Sequence, residues 1–158
     1  MDDAALALLE PADLANVLRK LRQTLQMALV GLLREQDDDT HLGLLTKVFA
    51  RLESICGHAP LSPLWQVASA LVEGMRGGAI ANSPALRSLF KEADKELKRL
   101  LEEGMRGINQ PAPPELLKSL LFYIAKAEHP TGRMLTMKDR YSLEDALPDS
   151  AMVDEERA

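Results

Sequence analysis

The residues that carry an imidazole or a thiol are few: His41, His58, His129 and the lone Cys56. A histidine metal pair on a helix needs a spacing of three or four residues, and no two of the three histidines are so spaced. Cys56 and His58 lie two apart, so on a helix they point to different sides. Asp37-Asp38-Asp39 lacks the alternating ligands, central glycine and distal glutamate of a calcium loop, and reads as a solvated turn. Glu102-Glu103 and the acids near the C-terminus have no apolar surroundings that would set one carboxylate apart from another. The glycine pairs match neither phosphate-cradling pattern. No catalytic residue, metal ligand or cofactor is assigned.

The elements that would position a site are clearer. Over residues 40–57, Leu42, Leu45, Val48/Phe49, Leu52 and Ile55/Cys56 follow the spacing of a helix with one buried stripe. Cys56 falls on that stripe and reads as a small core hydrophobe. The opposite side carries Gly43, Thr46/Lys47, Ala50 and Glu53/Ser54. This second helix is expected to be capped by Asp39 or Thr40 and stopped at Gly57. A first helix is expected from about Ala12 to Glu35, burying Leu14, Leu18, Leu21, Leu25, Leu29 and Leu32. Ser62-Pro63 and Ser83-Pro84 each read as N-cap and first helical position, opening helices that bury Trp65 and Phe90. A stiff proline-rich connector leads to a fifth helix from Pro114 to about Ala127, broken at residues 129–132. Short connections and the absence of any strand pattern predict an all-α, up-and-down antiparallel bundle of about five helices with a four-helix core.

Composition sets further bounds. The chain has 158 residues, 46% hydrophobic and 27% charged, an ordinary globular mix for one domain. Aromatics are scarce, so the core rests on Leu and Ala, which favours packed helices. Of the net charge of −5, about −4 falls in residues 138–158, so no basic field exists for nucleic acid. We therefore expect a helical domain over residues 1–132 and an acidic, largely irregular tail or linker over 133–158, with at most one turn near Tyr141 to Leu147. No run is long and apolar enough to span a membrane, the N-terminus has no basic signal-peptide region, and a single cysteine fits a reducing compartment; a cytoplasmic location is expected. Whether the domain stands alone or is cut from a longer chain stays open.

One surface feature stands apart. Arg87, Lys91, Lys95 and Lys98/Arg99 recur at i, i+4 along the fourth helix, a basic stripe opposite its apolar one. It reads either as a solvated face, relieved by Asp94 and Glu96, or as a docking strip for an acidic partner.

The second helix resembles that of histidine phosphotransfer (Hpt) domains of two-component signalling, whose motif is His-x-x-Lys-Gly. Aligned on apolar positions, Phe49-Ala50-Arg51-Leu52-Glu53-Ser54 places Ala50 at the phosphate-accepting position and Glu53-Ser54 at the Lys-Gly; a shift by one places Phe49 there instead. None of His41, His58 and His129 is followed by Lys-Gly at the required distance. Over about residues 12–128 the chain is similar to Hpt-like domains of the FimL/ChpA family of the type IV pilus chemosensory system. The similarity is carried by Ala28-Leu29-Val30-Gly31-Leu32-Leu33-Arg34-Glu35-Gln36, Leu64-Trp65-Gln66-Val67-Ala68, Lys91-Glu92-Ala93-Asp94-Lys95-Glu96-Leu97-Lys98 and residues 115–123.

That resemblance implies a non-catalytic adaptor in pilus control and the linked cyclic-AMP response. Phosphotransfer needs an exposed imidazole and a nearby cation; a methyl group cannot attack, and Glu53 would repel phosphoryl oxygens. The expected protein-binding face is Lys47, Ala50, Arg51 and Ser54 on the second helix, with Arg51 its retained positive charge. The Arg87, Lys91, Lys95, Lys98 stripe is an accessory surface. Expected partners are proteins, a response-regulator receiver or a pilus-signalling scaffold, with no nucleic acid and no membrane. The alternatives are an active phosphotransfer domain using the displaced His41, or a purely structural module.

Overall fold

Six α-helices are built by this sequence, in a computed structural model that describes residues 10–127 and 132–141. They are α1 (Pro11–Leu33), α2 (Asp38–Cys56), α3 (Ser62–Arg76), α4 (Pro84–Glu103), α5 (Pro114–Lys126) and α6 (Arg133–Tyr141). No strand occurs among the described residues, so the expected all-α bundle is the observed fold. Short turns make α1, α2 and α3 successive antiparallel neighbours. The fourth helix lies against α1, and α5 bridges α3 and α4.

The apolar stripes converge as their spacing requires. Leu42, Leu45, Val48, Phe49, Leu52, Ile55 and Cys56 are the buried residues of α2. Phe49 sits at the centre, its ring 6.1 Å from Trp65 of α3 and 5.8 Å from Phe90 of α4, both in stacked orientation. All three rings are fully buried, so the few aromatics tie three helices together at one point. This burial removes Phe49 as an alternative phosphate-accepting position.

Asn82 joins the helix ends. Its amide donates to the Leu32 carbonyl at the end of α1 (3.0 Å) and to Asp38 Oδ2 at the start of α2 (3.2 Å). Next to it Ser83 caps α4 as expected, accepting from the Leu86 N–H at 3.2 Å.

Four local expectations are corrected. The second helix starts at Asp38, with Asp37 in the left-handed region (φ 54°) and no side-chain cap, so neither Asp39 nor Thr40 is its N-cap. Ser62 lies inside α3, where it is buried and bonded to Gln66 (3.1 Å); Leu61 holds the cap position. After α4 the chain continues as a 3₁₀ helix, Gly104–Asn109, held by Arg99 through the carbonyls of Gly107 (3.1 Å) and Gln110 (3.3 Å). Finally, Arg133–Tyr141 is helical where irregular chain was expected. Met134 and Met137, three apart, bury themselves as α6 packs on α3 and α5. The other residues of the expected turn near Tyr141 to Leu147, the rest of the acidic tail and His129 lie outside the described residues.

Candidate protein-binding face

The exposed side of α2 is built by default: with Phe49, Leu52 and Leu45 directed inward, Thr46, Lys47 and Ala50 must point out, and all three are exposed. Ala50 lies on the wall of a hollow of about 330 Å³ shared with Thr46, Ser69, Glu73, Arg76 and Arg133, so α2, α3 and α6 all contribute. Ser54 and Arg51 are half-buried and do not line it. Arg51, the retained positive charge expected there, has its Nε buried without a hydrogen-bond partner among the described residues.

The cations beside Ala50 are instead Arg76 and Arg133. Arg76 pairs with Asp39 at 3.4 Å in an exposed contact. Arg133 donates to Glu53 Oε1 at 2.9 Å, and its backbone N–H donates to Glu73 Oε1 at 3.0 Å. Glu53 also accepts from Ser69 Oγ at 3.0 Å. Glu53 is therefore matched by an arginine from α6. Sequence reasoning missed Arg133 because it follows the break at residues 129–132, where apolar periodicity thins to two methionines.

Neither reactive side chain near α2 is placed for attack. The Nδ1–H of half-buried His41 donates to the Asp37 carbonyl at 2.9 Å. In the neutral ring this leaves the lone pair on Nε2, and that edge faces Gly31 of α1 closely enough that a Cβ there would overlap it. Burial pushes the Cys56 thiol from 9.0 up to about 11, so it is protonated at neutral pH. Among the described residues no His, Cys, Asp and Glu group could hold a metal ion.

The basic stripe of α4 divides on inspection. Lys95 pairs with Glu92 (3.0 Å), and Arg99 is spent on Glu96 and Glu103 (both 3.2 Å). Arg87 donates to the neutral Asn82 Oδ1 at 2.8 Å. Lys91 and Lys98 are exposed and form no ion pair among the described residues. No described helix is long and apolar enough to cross a membrane.

The described residues form a bundle of amphipathic helices whose second helix exposes a small-residue face. The comparisons name the family. Residues 10–154 match the FimL scaffold protein second domain, and the chain belongs to that family. It is 32% identical over 132 residues to the scaffold protein FimL of Pseudomonas aeruginosa, an alignment covering 84% of this chain. The match spans 23% of that relative's length. No solved structure shows significant similarity.

Proposed function

We propose that this domain is a non-catalytic, Hpt-like adaptor that binds signalling proteins, a response-regulator receiver foremost, through the face of α2 around Lys47, Ala50, Arg51 and Ser54. The observation that carries the reading is Ala50 itself. The position that the Hpt alignment makes phosphate-accepting is exposed, central on its helix and chemically inert. Family membership with a named scaffold protein supports protein binding as the role. The FimL/ChpA resemblance extends the proposal to type IV pilus control, twitching motility and cyclic-AMP regulation in the cytoplasm. The competing active reading requires His41, whose free nitrogen is packed against α1.

Calorimetric titration with purified receivers tests the face. Ala50→Arg should abolish the complex while leaving the thermal midpoint nearly unchanged, because a long cation at the centre of a fitted surface clashes and must be desolvated. Binding by Ala50→Arg equal to that of the parent would move the interaction off this face. Incubation with phosphorylated receiver, followed by detection of acid-labile phosphohistidine, should find no label; label on His41 would overturn the adaptor reading.

A further inference from the structure

The first helix carries two apolar stripes, and among the described residues the fold buries only one. Leu14, Leu18, Leu25, Ala28 and Leu32 face the core, while Met27, Val30 and Leu33 remain 57%, 47% and 58% exposed in its last two turns. Large side chains at that exposure on three positions of one face are unusual for a soluble helix. Beside them runs a groove of about 310 Å³ between α1 and α4. Its α1 wall is Gln26, Leu29, Val30 and Leu33, the i, i+3, i+4, i+7 pattern that receives another helix; its α4 wall is Arg87 and Lys91.

The charges on the two sides of this groove are not equivalent. Asp94 on the floor is already matched, by Arg22 Nε at 3.1 Å and Nη2 at 3.3 Å and by the Gln26 amide at 3.4 Å. The two wall cations have no such match: Arg87 spends one N–H on a neutral amide, and Lys91 has no ion pair among the described residues. They lie four residues apart, one helical turn, and border an apolar ridge.

We propose that the α1–α4 groove is a second docking surface and that its occupant is an acidic amphipathic helix of a partner protein. Apolar side chains of that helix would lie on Val30 and Leu33, and acidic ones, one per turn, would face Arg87 and Lys91. A nucleic acid would need a far larger basic field than two side chains in a chain of net charge −5. A second copy related by two-fold symmetry would bring this same basic-walled face against itself. The surface is separate from the α2 face, so the inference stands or falls without it.

The test is a selection from a displayed library of 18-residue helical peptides against the whole chain, followed by anisotropy titration of the enriched sequences. Enriched peptides should carry apolar residues at i, i+3 or i+4 and i+7 flanked by Asp or Glu, and should bind more weakly as salt rises. Leu33→Asp and, independently, Lys91→Glu should each weaken binding roughly tenfold or more, while Ala50→Arg should leave it unchanged. Both altered positions are exposed, and thermal melts confirm that each variant is folded. No enrichment, enriched peptides without acidic residues, or unchanged affinity in the Lys91→Glu variant would overturn the proposal. So would a dimer in sedimentation that Leu33→Asp dissolves, which would make the occupant a second copy.

Discussion

His41 of α2 lies against Gly31 of α1, its Cδ2–Nε2–Cε1 edge filling the space that a β-carbon would need. The contact joins the two helices whose connecting turn holds both Glu35 and Asp37 at φ 54°. It also explains a glycine in the last turn of a helix, where alanine has the higher helix propensity.

Gly31→Ala should therefore destabilise the domain by about 1–3 kcal/mol, the overlap with the ring outweighing the gain in helix propensity. In a His41→Ala background the sign should reverse, and the alanine should stabilise by up to about 1 kcal/mol. Denaturant melts followed by fluorescence of Trp65, the single tryptophan and fully buried, measure both legs of the cycle. Destabilisation of equal size in the two backgrounds would dissociate the glycine from the histidine.

The aromatic centre supplies the contrast between buried and exposed faces of α2. Phe49→Ala empties the space between Trp65 and Phe90 and should cost about 3–5 kcal/mol, since lost transfer energy and a cavity add. Ala50→Ser, one residue on but exposed, should stay within about 0.5 kcal/mol. The same melts decide; similar losses would mean that the inward face of α2 is misassigned.

Most of this fold is written in periodicity. The stripes of α1 to α5 are strong enough to give element order and most boundaries, and Ser83-Pro84 announces its helix through side-chain chemistry that the structure uses. The failures share one cause: local signals were outweighed by tertiary partners. Ser62 has the same Ser-Pro signature as Ser83, yet the Leu61 N–H bonds the Ile108 carbonyl at 3.0 Å, which fixes the preceding residue and places the serine one step inside the helix. The last helix carries only Met134 and Met137 as buried anchors, too few for a readable period, and its role appears only when Glu53, Glu73 and Gln66 are brought beside it. On α2, the exposure of Lys47 and Ala50 was legible from the helical period. Arg51 was legible as a positive charge, whereas the cations that line the hollow beside Ala50 come from other helices, Arg76 from α3 and Arg133 from α6.

Cys56 gives a pH signature. Its thiol titrates at 9.0 unfolded and about 11 folded because burial disfavours the thiolate. Folding thus favours the protonated form, so the associated stability is fully present below pH 9.0 and is lost as pH rises towards about 11. The loss is on the order of 2–3 kcal/mol. Unfolding free energies of the parent should fall more steeply across this window than those of Cys56→Ala, and a thiol reagent at neutral pH should label the parent only on unfolding. Parallel slopes, or fast labelling of the native protein, would contradict the buried assignment.

The last helix poses a choice between charge and apolar anchoring. Arg133 links α6 to Glu53 and Glu73, and Arg140 donates to Gln66 at 2.7 Å, but the Arg133–Glu53 pair is partly exposed, with side-chain accessibilities of 45% and 18%. Such pairs contribute about 0–1 kcal/mol. Met134, by contrast, is 1% exposed and sits over Gly74, whose missing β-carbon makes room for it: a Cβ there would lie 2.6 Å from the Met134 sulfur. Met134→Ala should thus cost about 2–5 kcal/mol of docking, limited by the free energy that holds α6 in place. Gly74→Ala should act in the same direction. Arg133→Ala should cost no more than about 1 kcal/mol. Hydrogen exchange resolves the three: with Met134→Ala, amides of α6 should lose protection while those of α2 around Phe49 keep theirs, and with Arg133→Ala both should hold. If Arg133→Ala frees the helix as completely as Met134→Ala, the ion pairs across the hollow, and not the methionine packing, are what dock α6 beside Ala50.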